Sequence, residues 1–95
     1  FYTYILQNKK DDGLYIGYSS NLRQRVQQHK MGKCKSTRFR RPLSLIYYEA
    51  FLSKKDAKSR EVFLKSGYGH DQINNFLKDT LKNSGFRRGG MPEPG

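Results

Sequence analysis

Two tyrosines, an arginine and a histidine fall within the first 29 residues of the sequence: Tyr4, Tyr15, Arg25 and His29. An arginine suits a phosphate, because its planar guanidinium donates two parallel hydrogen bonds to the phosphate oxygens. A neighbouring histidine or tyrosine could donate or accept a proton at an oxygen of a phosphodiester. The same residue types also allow a structural interpretation, in which the tyrosines pack in a sheet and the arginine and histidine are surface and packing residues.

Glu61 is a second candidate, because its predicted helix places it on the inward face beside Ala57 and Leu64. A carboxylate in that position is costly unless it pairs with a cation or binds a metal. One alternative is an ordinary ion pair with Lys58 or Arg60. The other is a single oxygen ligand for Mg²⁺, which keeps most of its waters and needs only one or two carboxylates beside a phosphate.

A basic segment, defined here as Lys30–Arg41, carries six lysines and arginines and no acidic residue. The formal net charge of the 95 residues is +11, which indicates an anionic partner. Nucleic acid is the first candidate, an anionic membrane surface the second and a structural role on RNA the third. We expect contacts to phosphates, which position a nucleic acid rather than read its bases. The side chains predicted to make them are Lys33, Lys35, Arg38, Arg40 and Arg41.

The apolar content argues against a membrane, since no apolar run approaches the ~20 residues that a membrane-spanning helix needs. Cys34 is the only cysteine, so these residues can form no internal disulfide and lack the companions of a cysteine-based zinc site. We therefore predict an incidental, exposed cysteine and a reduced, cytoplasmic setting.

The elements that must position Tyr4, Tyr15, Arg25 and His29 are a hairpin and a helix. Strands over Tyr2–Leu6 and Leu14–Tyr18 are separated by a short polar turn, which predicts an antiparallel pair. Cap residues before Leu22 and a glycine after Met31 then delimit a helix. Its inward stripe holds His29, with Arg25 at the edge.

The second half of the chain predicts a strand over Leu43–Phe51, whose nearly continuous apolar character suggests a central position in the sheet. Helices are predicted over Ser53–Lys65 and Asp71–Lys82. The order β-β-α-β-α-α predicts an α+β fold, with a three-stranded, mostly antiparallel sheet flanked by helices. We predict one domain over residues 1–85 and a disordered C-terminal tail over 86–95.

Two triplets of the hairpin resemble the paired signature of the GIY-YIG nuclease superfamily. Tyr2-Thr3-Tyr4 corresponds to the first triplet, with tyrosine and threonine in place of its glycine and isoleucine, and Tyr15-Ile16-Gly17 is the intact second. Asn21–His29 resembles the family's arginine-bearing helix, and Arg60–Gly67 the helix with its metal-binding glutamate. The span from Tyr2 to about Leu81 is similar to small, stand-alone, UvrC-like members, which are related to the N-terminal nuclease domain of the UvrC excinuclease.

The resemblance implies an endonuclease that hydrolyses phosphodiester bonds in DNA with Mg²⁺ or Mn²⁺ as its cofactor. It implies that Arg25 holds the scissile phosphate and that Glu61 holds the metal. Tyr4 or Tyr15 would activate a water, and His29 would assist proton transfer or orient a tyrosine.

Several alternatives stay open. A catalytically silent DNA- or RNA-binding module of the same fold is the alternative to cleavage, and an RNA-associated structural protein is a third class. Some family members carry an asparagine near the site, for which Asn74 and Asn75 are candidates. The preferred DNA structure, the pathway (repair, recombination, a mobile element or defence) and the oligomeric state, a monomer or weak dimer with a possible partner protein, are not fixed by the residues.

Overall fold

A computed structural model describes residues 1–83 of the chain. Its strands are β1 (Tyr2–Asn8), β2 (Leu14–Ser19) and β3 (Leu43–Ala50), and its helices are α1 (Leu22–Lys30), α2 (Lys54–Lys65), α3 (Gly67–Phe76) and α4 (Lys78–Asn83). A single 3₁₀ turn, Arg38–Arg40, lies in the basic segment. The strands pair antiparallel in the order β2-β1-β3, so the predicted α+β fold is confirmed. The predicted domain end at residue 85 and the predicted tail 86–95 lie outside the described residues.

The central strand is β1, not the third strand as its apolar run suggested. β1 pairs with both neighbours, and every residue from Thr3 to Asn8 is buried, including three polar ones. Those polar side chains are hydrogen-bonded: Thr3 Oγ1, for example, donates to the Ala57 carbonyl at 2.7 Å. The register of β3 shifts by one residue opposite Ile5 and Leu6, and Ile46 and Tyr47 both pack on one face there. β3 thus packs on both faces although it is an edge strand, with Leu43 and Leu45 on the face of Tyr4 and Ile46 and Tyr47 on the face of Ile5.

The sheet separates two apolar clusters. On one face Tyr4 and Leu6 pack with Leu22 and Val26 of α1. On the other face Ile5 of β1 packs with apolar side chains from α2, α3 and α4, namely Leu64, Ile73, Leu77 and Leu81. Tyr4 and Ile5 thus face opposite sides of the sheet, and the signature tyrosine Tyr4 lies under α1.

Side-chain caps fix where the helices begin. Asn21 Oδ1 accepts the Gln24 N–H at the start of α1, and Ser53 Oγ accepts the Asp56 N–H at the start of α2. The last predicted helix differs from the structure. It begins at Gly67, where Ser66 Oγ accepts the Gly69 N–H, and it is broken at Leu77 into α3 and α4.

Gly69 holds α3 against α2, because a Cβ atom at this position would overlap the Phe63 carbonyl and the Leu64 backbone. We expect Gly69→Ala to lower the free energy of unfolding by about 1–3 kcal/mol, since backbone atoms cannot move aside cheaply. The matched control is Gly67→Ala in the same helix, where no atom lies within 4 Å of the added methyl. There we expect a gain of about 0.4–1 kcal/mol from the stiffer unfolded chain. Urea unfolding measures both, and equal stabilities would contradict the close approach.

Candidate active site

A chain of three buried polar side chains lies at the centre of the site. Tyr4 of β1 shares a hydrogen bond with His29 of α1, with 2.9 Å between Tyr4 Oη and His29 Nε2. The other ring nitrogen, His29 Nδ1, is 2.7 Å from Thr37 Oγ1 in the basic segment. His29 and Thr37 have no exposed surface, and Tyr4 is 1% exposed. The hydrogen bonds therefore join a strand, a helix and a loop where no water competes for them.

The glycine of the second triplet makes room for this arrangement. Gly17 of β2 lies directly opposite Tyr4 in the sheet register. A Cβ atom on Gly17 would overlap the hydroxyl and the ring of Tyr4. The tyrosine can cross the neighbouring strand only because that strand has a bare backbone at this position.

Arg25 and Tyr15 form the partly exposed wall of the site. Arg25 lies one turn before His29 on α1, and a hydrogen bond to Tyr4 raises the pKa of its guanidinium. Its Nη1 donates to Gln28 Oε1 at 3.2 Å. The Tyr15 ring stands beside the His29 ring, with 5.2 Å between their centroids. Both Arg25 and Tyr15 are half-buried, so a ligand can reach them without rearrangement of the core.

The protonation of the inner groups follows from their burial. Burial raises the pKa of Tyr4 to about 12, although a hydrogen bond and the charge of Arg25 act in the opposite direction. Burial lowers the pKa of His29, and the charge of Arg25 lowers it further. At neutral pH the inner pair is therefore a neutral phenol beside a neutral imidazole.

Glu61 lies in the helical layer on the other face of the sheet, on the flank of α2 that faces β2. Lys58 is three residues before it and so shares that flank, and the Lys58 ammonium lies 5.4 Å from the ring centroid of Tyr18 in β2. The Glu61 side chain is 22% exposed and pairs with Lys65, one turn on, at 3.0 Å. Glu61 thus forms an ordinary ion pair, as one of the two alternatives expected, but its partner is Lys65 rather than Lys58 or Arg60, and Arg60 pairs with Glu49 instead. α2 packs on the face of the sheet opposite to the one on which Tyr15 packs with Tyr4.

Glu49 of β3, a second partly buried carboxylate, accepts hydrogen bonds from Arg60 and Tyr47. Its two oxygens accept hydrogen bonds from Arg60 Nε at 2.9 Å and Nη2 at 3.0 Å, and one also accepts from Tyr47 Oη at 2.5 Å. The hydrogen bonds from Arg60 and Tyr47 hold the pKa of Glu49 below its usual value, against the effect of burial. Within residues 1–83 no group of three or more His, Cys, Asp or Glu side chains could hold a metal ion.

The basic segment is fixed to the site by two buried residues, Cys34 and Thr37. The Cys34 carbonyl accepts the backbone N–H groups of Thr37 at 3.2 Å and of Arg38 at 2.9 Å. The expectation of an exposed cysteine was wrong, since Cys34 is 7% exposed and packs inward. The five predicted phosphate-binding side chains are all exposed. Phe39 among them is 76% exposed, and the Arg38 guanidinium lies 4.9 Å from its ring centroid.

The structure thus brings Tyr4, Tyr15, Arg25 and His29 together, and no described contact joins Glu61 to them. Thr37 is the residue that the sequence interpretation missed. The local signal for it is a small hydroxyl residue three positions after the cysteine in a run of charged side chains. Asn74 is half-buried and Asn75 exposed on α3, and no described contact joins either to the Tyr4–His29 pair.

Residues 1–74 match the family described as the GIY-YIG catalytic domain. The chain belongs to this family, and GIY-YIG domains are in general endonucleases. No solved structure matches the chain. In residues 1–83 no helix has the length and apolar character that crossing a membrane requires.

Similar proteins carry the name UPF0213. One from Clostridium perfringens (strain 13 / Type A) is 34% identical over 88 residues, which cover 92% of this chain and 94% of that protein. The UPF0213 protein of the ldhD 5′ region of Pediococcus acidilactici is 42% identical over 88 residues, or 90% of this chain and 84% of that protein. A third, from Streptococcus pyogenes serotype M5 (strain Manfredo), is 46% identical over 65 residues, or 67% and 70% of the two chains.

The lowered pKa of His29 predicts a pH dependence of stability. Above the unfolded histidine value of about 6.5, the ring is neutral in both states and has no effect. Below it the unfolded chain takes up a proton that buried His29 resists, so the free energy of unfolding falls until pH reaches the lowered folded pKa. The slope is at most about 1.4 kcal/mol per pH unit. Urea unfolding at a series of pH values measures it.

The control is the other histidine, His70, which is exposed on α3. We expect His70→Gln to keep the loss of stability below about pH 6.5, and His29→Gln to abolish it. A slope that disappears with His70 instead would contradict the assignment.

Proposed function

We propose that this protein is a metal-dependent endonuclease that hydrolyses phosphodiester bonds in DNA. The observation that carries the proposal is the half-exposed pair of Arg25 and Tyr15 above the buried Tyr4–His29 hydrogen bond. A cation and a phenol are both partly exposed, and the neutral, buried Tyr4–His29 pair lies beneath them. Such pre-organised groups stabilise charge far better than flexible surface side chains do.

Arg25 is the proposed phosphate-binding group. Its fork of N–H donors matches a phosphodiester, and its hydrogen bond to Gln28 restricts the side chain before a substrate binds. Charge that develops on the phosphate oxygens in the transition state would strengthen these contacts, which is the condition for a gain in rate.

Tyr15 is the tyrosine that we propose for activation of the attacking water. Tyr4 is enclosed, and its raised pKa of about 12 makes it a poor base at neutral pH. Tyr15 is half-buried, and its hydroxyl accepts a long hydrogen bond from Ser36 Oγ at 3.4 Å. Of the two signature tyrosines, Tyr15 is therefore the more accessible and the better placed to take a proton from a water beside the phosphate.

Glu61 is the proposed ligand for Mg²⁺ or Mn²⁺. One carboxylate fits such an ion, because Mg²⁺ keeps several waters and takes further oxygens from the substrate phosphate. A divalent ion bound there would stabilise the charge on the leaving oxygen. Glu61 is partly exposed and its described partner is an exposed lysine, so the carboxylate can exchange that partner at little cost.

The basic segment is the proposed site for the DNA backbone. Its five exposed basic side chains surround the residues that connect it to the site, Cys34 and Thr37. A strand bound along this segment would lie beside Arg25 and His29, because Thr37 contacts the His29 ring directly. The contacts are to phosphates, so cleavage with little sequence preference is expected.

A plasmid assay tests the proposed chemistry. We expect nicking of supercoiled DNA with Mg²⁺ and none with EDTA. Arg25→Ala should lower the rate by about 10²–10³-fold, as the loss of one transition-state donor does elsewhere. Tyr15→Phe should lower it by about 10²–10⁴-fold, which is the usual contribution of a general base. Glu61→Gln should abolish the dependence on metal together with most of the activity.

Matched controls use side chains of the same type away from the site. Arg23→Ala removes an exposed arginine from the opposite flank of α1, and Asp79→Asn removes an acid from α4. Both should cleave at the rate of the unsubstituted protein. Binding to DNA without nicking under any condition would overturn the enzyme and support the silent binding module. Cleavage that survives Glu61→Gln would overturn the metal ligand alone.

The basic segment predicts a steep dependence of DNA affinity on salt. Each phosphate contact adds about 0.9 to the slope of log K against log salt for duplex DNA. We therefore expect the double substitution Arg38→Gln and Arg40→Gln to reduce the slope by about 1.8. Lys78→Gln on α4 is the control and should leave the slope unchanged. Fluorescence anisotropy over a series of salt concentrations measures the slope, and equal slopes for both variants would contradict the assignment of the segment.

A further inference from the structure

Of the three hydrogen-bonded residues Tyr4, His29 and Thr37, only Thr37 has no expected function. It lies in the basic segment, it has no exposed surface, and its backbone is fixed by the N–H···O bond to Cys34. Its hydroxyl oxygen is 2.7 Å from His29 Nδ1. Among residues 1–83 the His29 ring is the only hydrogen-bond partner of this hydroxyl.

A neutral imidazole carries one ring proton, so the hydrogen bonds among Tyr4, His29 and Thr37 can run in either of two directions. In the first, His29 Nδ1–H donates to Thr37 and the Tyr4 hydroxyl donates to Nε2. The Thr37 proton then has no acceptor. In the second, the Thr37 hydroxyl donates to Nδ1 and His29 Nε2–H donates to Tyr4 Oη. The Tyr4 hydroxyl proton then has no acceptor among these three residues.

The surroundings of the two hydroxyl groups separate these arrangements. Thr37 is fully enclosed, so a proton without an acceptor there would be a buried, unsatisfied donor, which is costly. Tyr4 lies beneath Arg25 and Tyr15, both half-buried at the opening of the site. An oxygen of a water or phosphate bound at Arg25 and Tyr15 would come next to Tyr4, which is 1% exposed, and could accept its proton, whereas Thr37 has no exposed surface. The second arrangement therefore satisfies more of the buried groups.

We propose that Thr37 is a positioning residue that sets the tautomer of His29, with the ring proton on Nε2 and Tyr4 Oη as its acceptor. The Tyr4 oxygen then receives N–H donors from His29 and Arg25, and its own proton is directed toward the opening. Tyr4 would thus donate a hydrogen bond to the phosphate rather than remove a proton from water. This catalytic consequence rests on the proposed function, while the tautomer itself does not.

The first test is a two-bond proton–nitrogen correlation spectrum of the His29 ring, recorded on the whole chain without DNA or metal. A pH of about 7.5 keeps the ring neutral, since it is above the histidine reference of about 6.5. His70 gives the second set of signals and is identified with His70→Gln. We expect the proton on His29 Nε2, and a proton on Nδ1 would overturn the proposal.

Substitutions test whether Thr37 is the cause. Thr37→Val keeps the shape and removes the hydroxyl, so the ratio of tautomers should change by about tenfold, the effect of one hydrogen bond of ordinary net strength. Thr37→Ser should restore the Nε2–H form. Thr3→Val is the matched control, because Thr3 is a buried threonine whose hydroxyl donates to Ala57 on the other face of the sheet. It should lower stability and leave the tautomer unchanged.

An unchanged tautomer in Thr37→Val would overturn the proposal. If that variant does not fold, the spectra of the unsubstituted protein and of Thr37→Ser still decide. In the plasmid assay Thr37→Val should lower kcat by about tenfold with little change in KM, and Thr37→Ser should recover it. A protein with the Nε2–H tautomer that cleaves no DNA would overturn the proposed nuclease and leave the tautomer assignment intact.

Discussion

The His29 imidazole, fully enclosed between a tyrosine and a threonine, is the interaction on which the rest of the site depends. A buried ring with two nitrogens must find two partners, because an unpaired polar atom in that environment costs as much as the net gain from one or two good hydrogen bonds. Tyr4 comes from the central strand and Thr37 from the basic segment. The site and the segment that we propose for DNA binding are therefore held by the same histidine. Loss of either partner would loosen both.

The hairpin gives this histidine its position. β1 is enclosed on both faces, and Tyr4 can reach under α1 only because Gly17 on the neighbouring strand has no side chain. The tyrosine of one triplet and the glycine of the other are thus two parts of a single steric arrangement. Thr3, which departs from the family's usual isoleucine, donates its hydroxyl to the Ala57 carbonyl of α2. This bond joins the site-bearing strand to the helix that carries Glu61.

Local chemistry made much of this structure predictable. Asn21 and Ser53 are strong caps, so the starts of α1 and α2 followed from residue type, and the hairpin followed from two β-rich runs around a polar turn. Long-range pairing did not follow. The strand order was mistaken because β1 buries polar residues such as Gln7, whose amide donates to the Asp12 carbonyl, and these made the strand look less central than β3.

In the candidate site, too, the residues that are positioned locally could be predicted and the long-range contact could not. Tyr4, Tyr15, Arg25 and His29 could be grouped from spacing, because a hairpin followed at once by a helix leaves little freedom in their placement. Thr37 could not be included, since its contact with His29 depends on the path of an irregular segment. The Lys65 partner of Glu61 was missed although it is a common one-turn ion pair, because Arg60 and Lys58 stand closer in sequence.

Ser66 is the single residue between α2 and α3, and it caps both helices. Its hydroxyl donates to the Phe63 carbonyl and accepts the Gly69 N–H. With an insertion at this corner, one serine hydroxyl could no longer make both hydrogen bonds. The insertion would also move Gly69 away from the α2 backbone. In the turn between β1 and β2 no described side chain caps two helices in this way, and the turn lies at the surface. Sequence length in this architecture should therefore vary at the hairpin turn and stay constant at the α2–α3 corner.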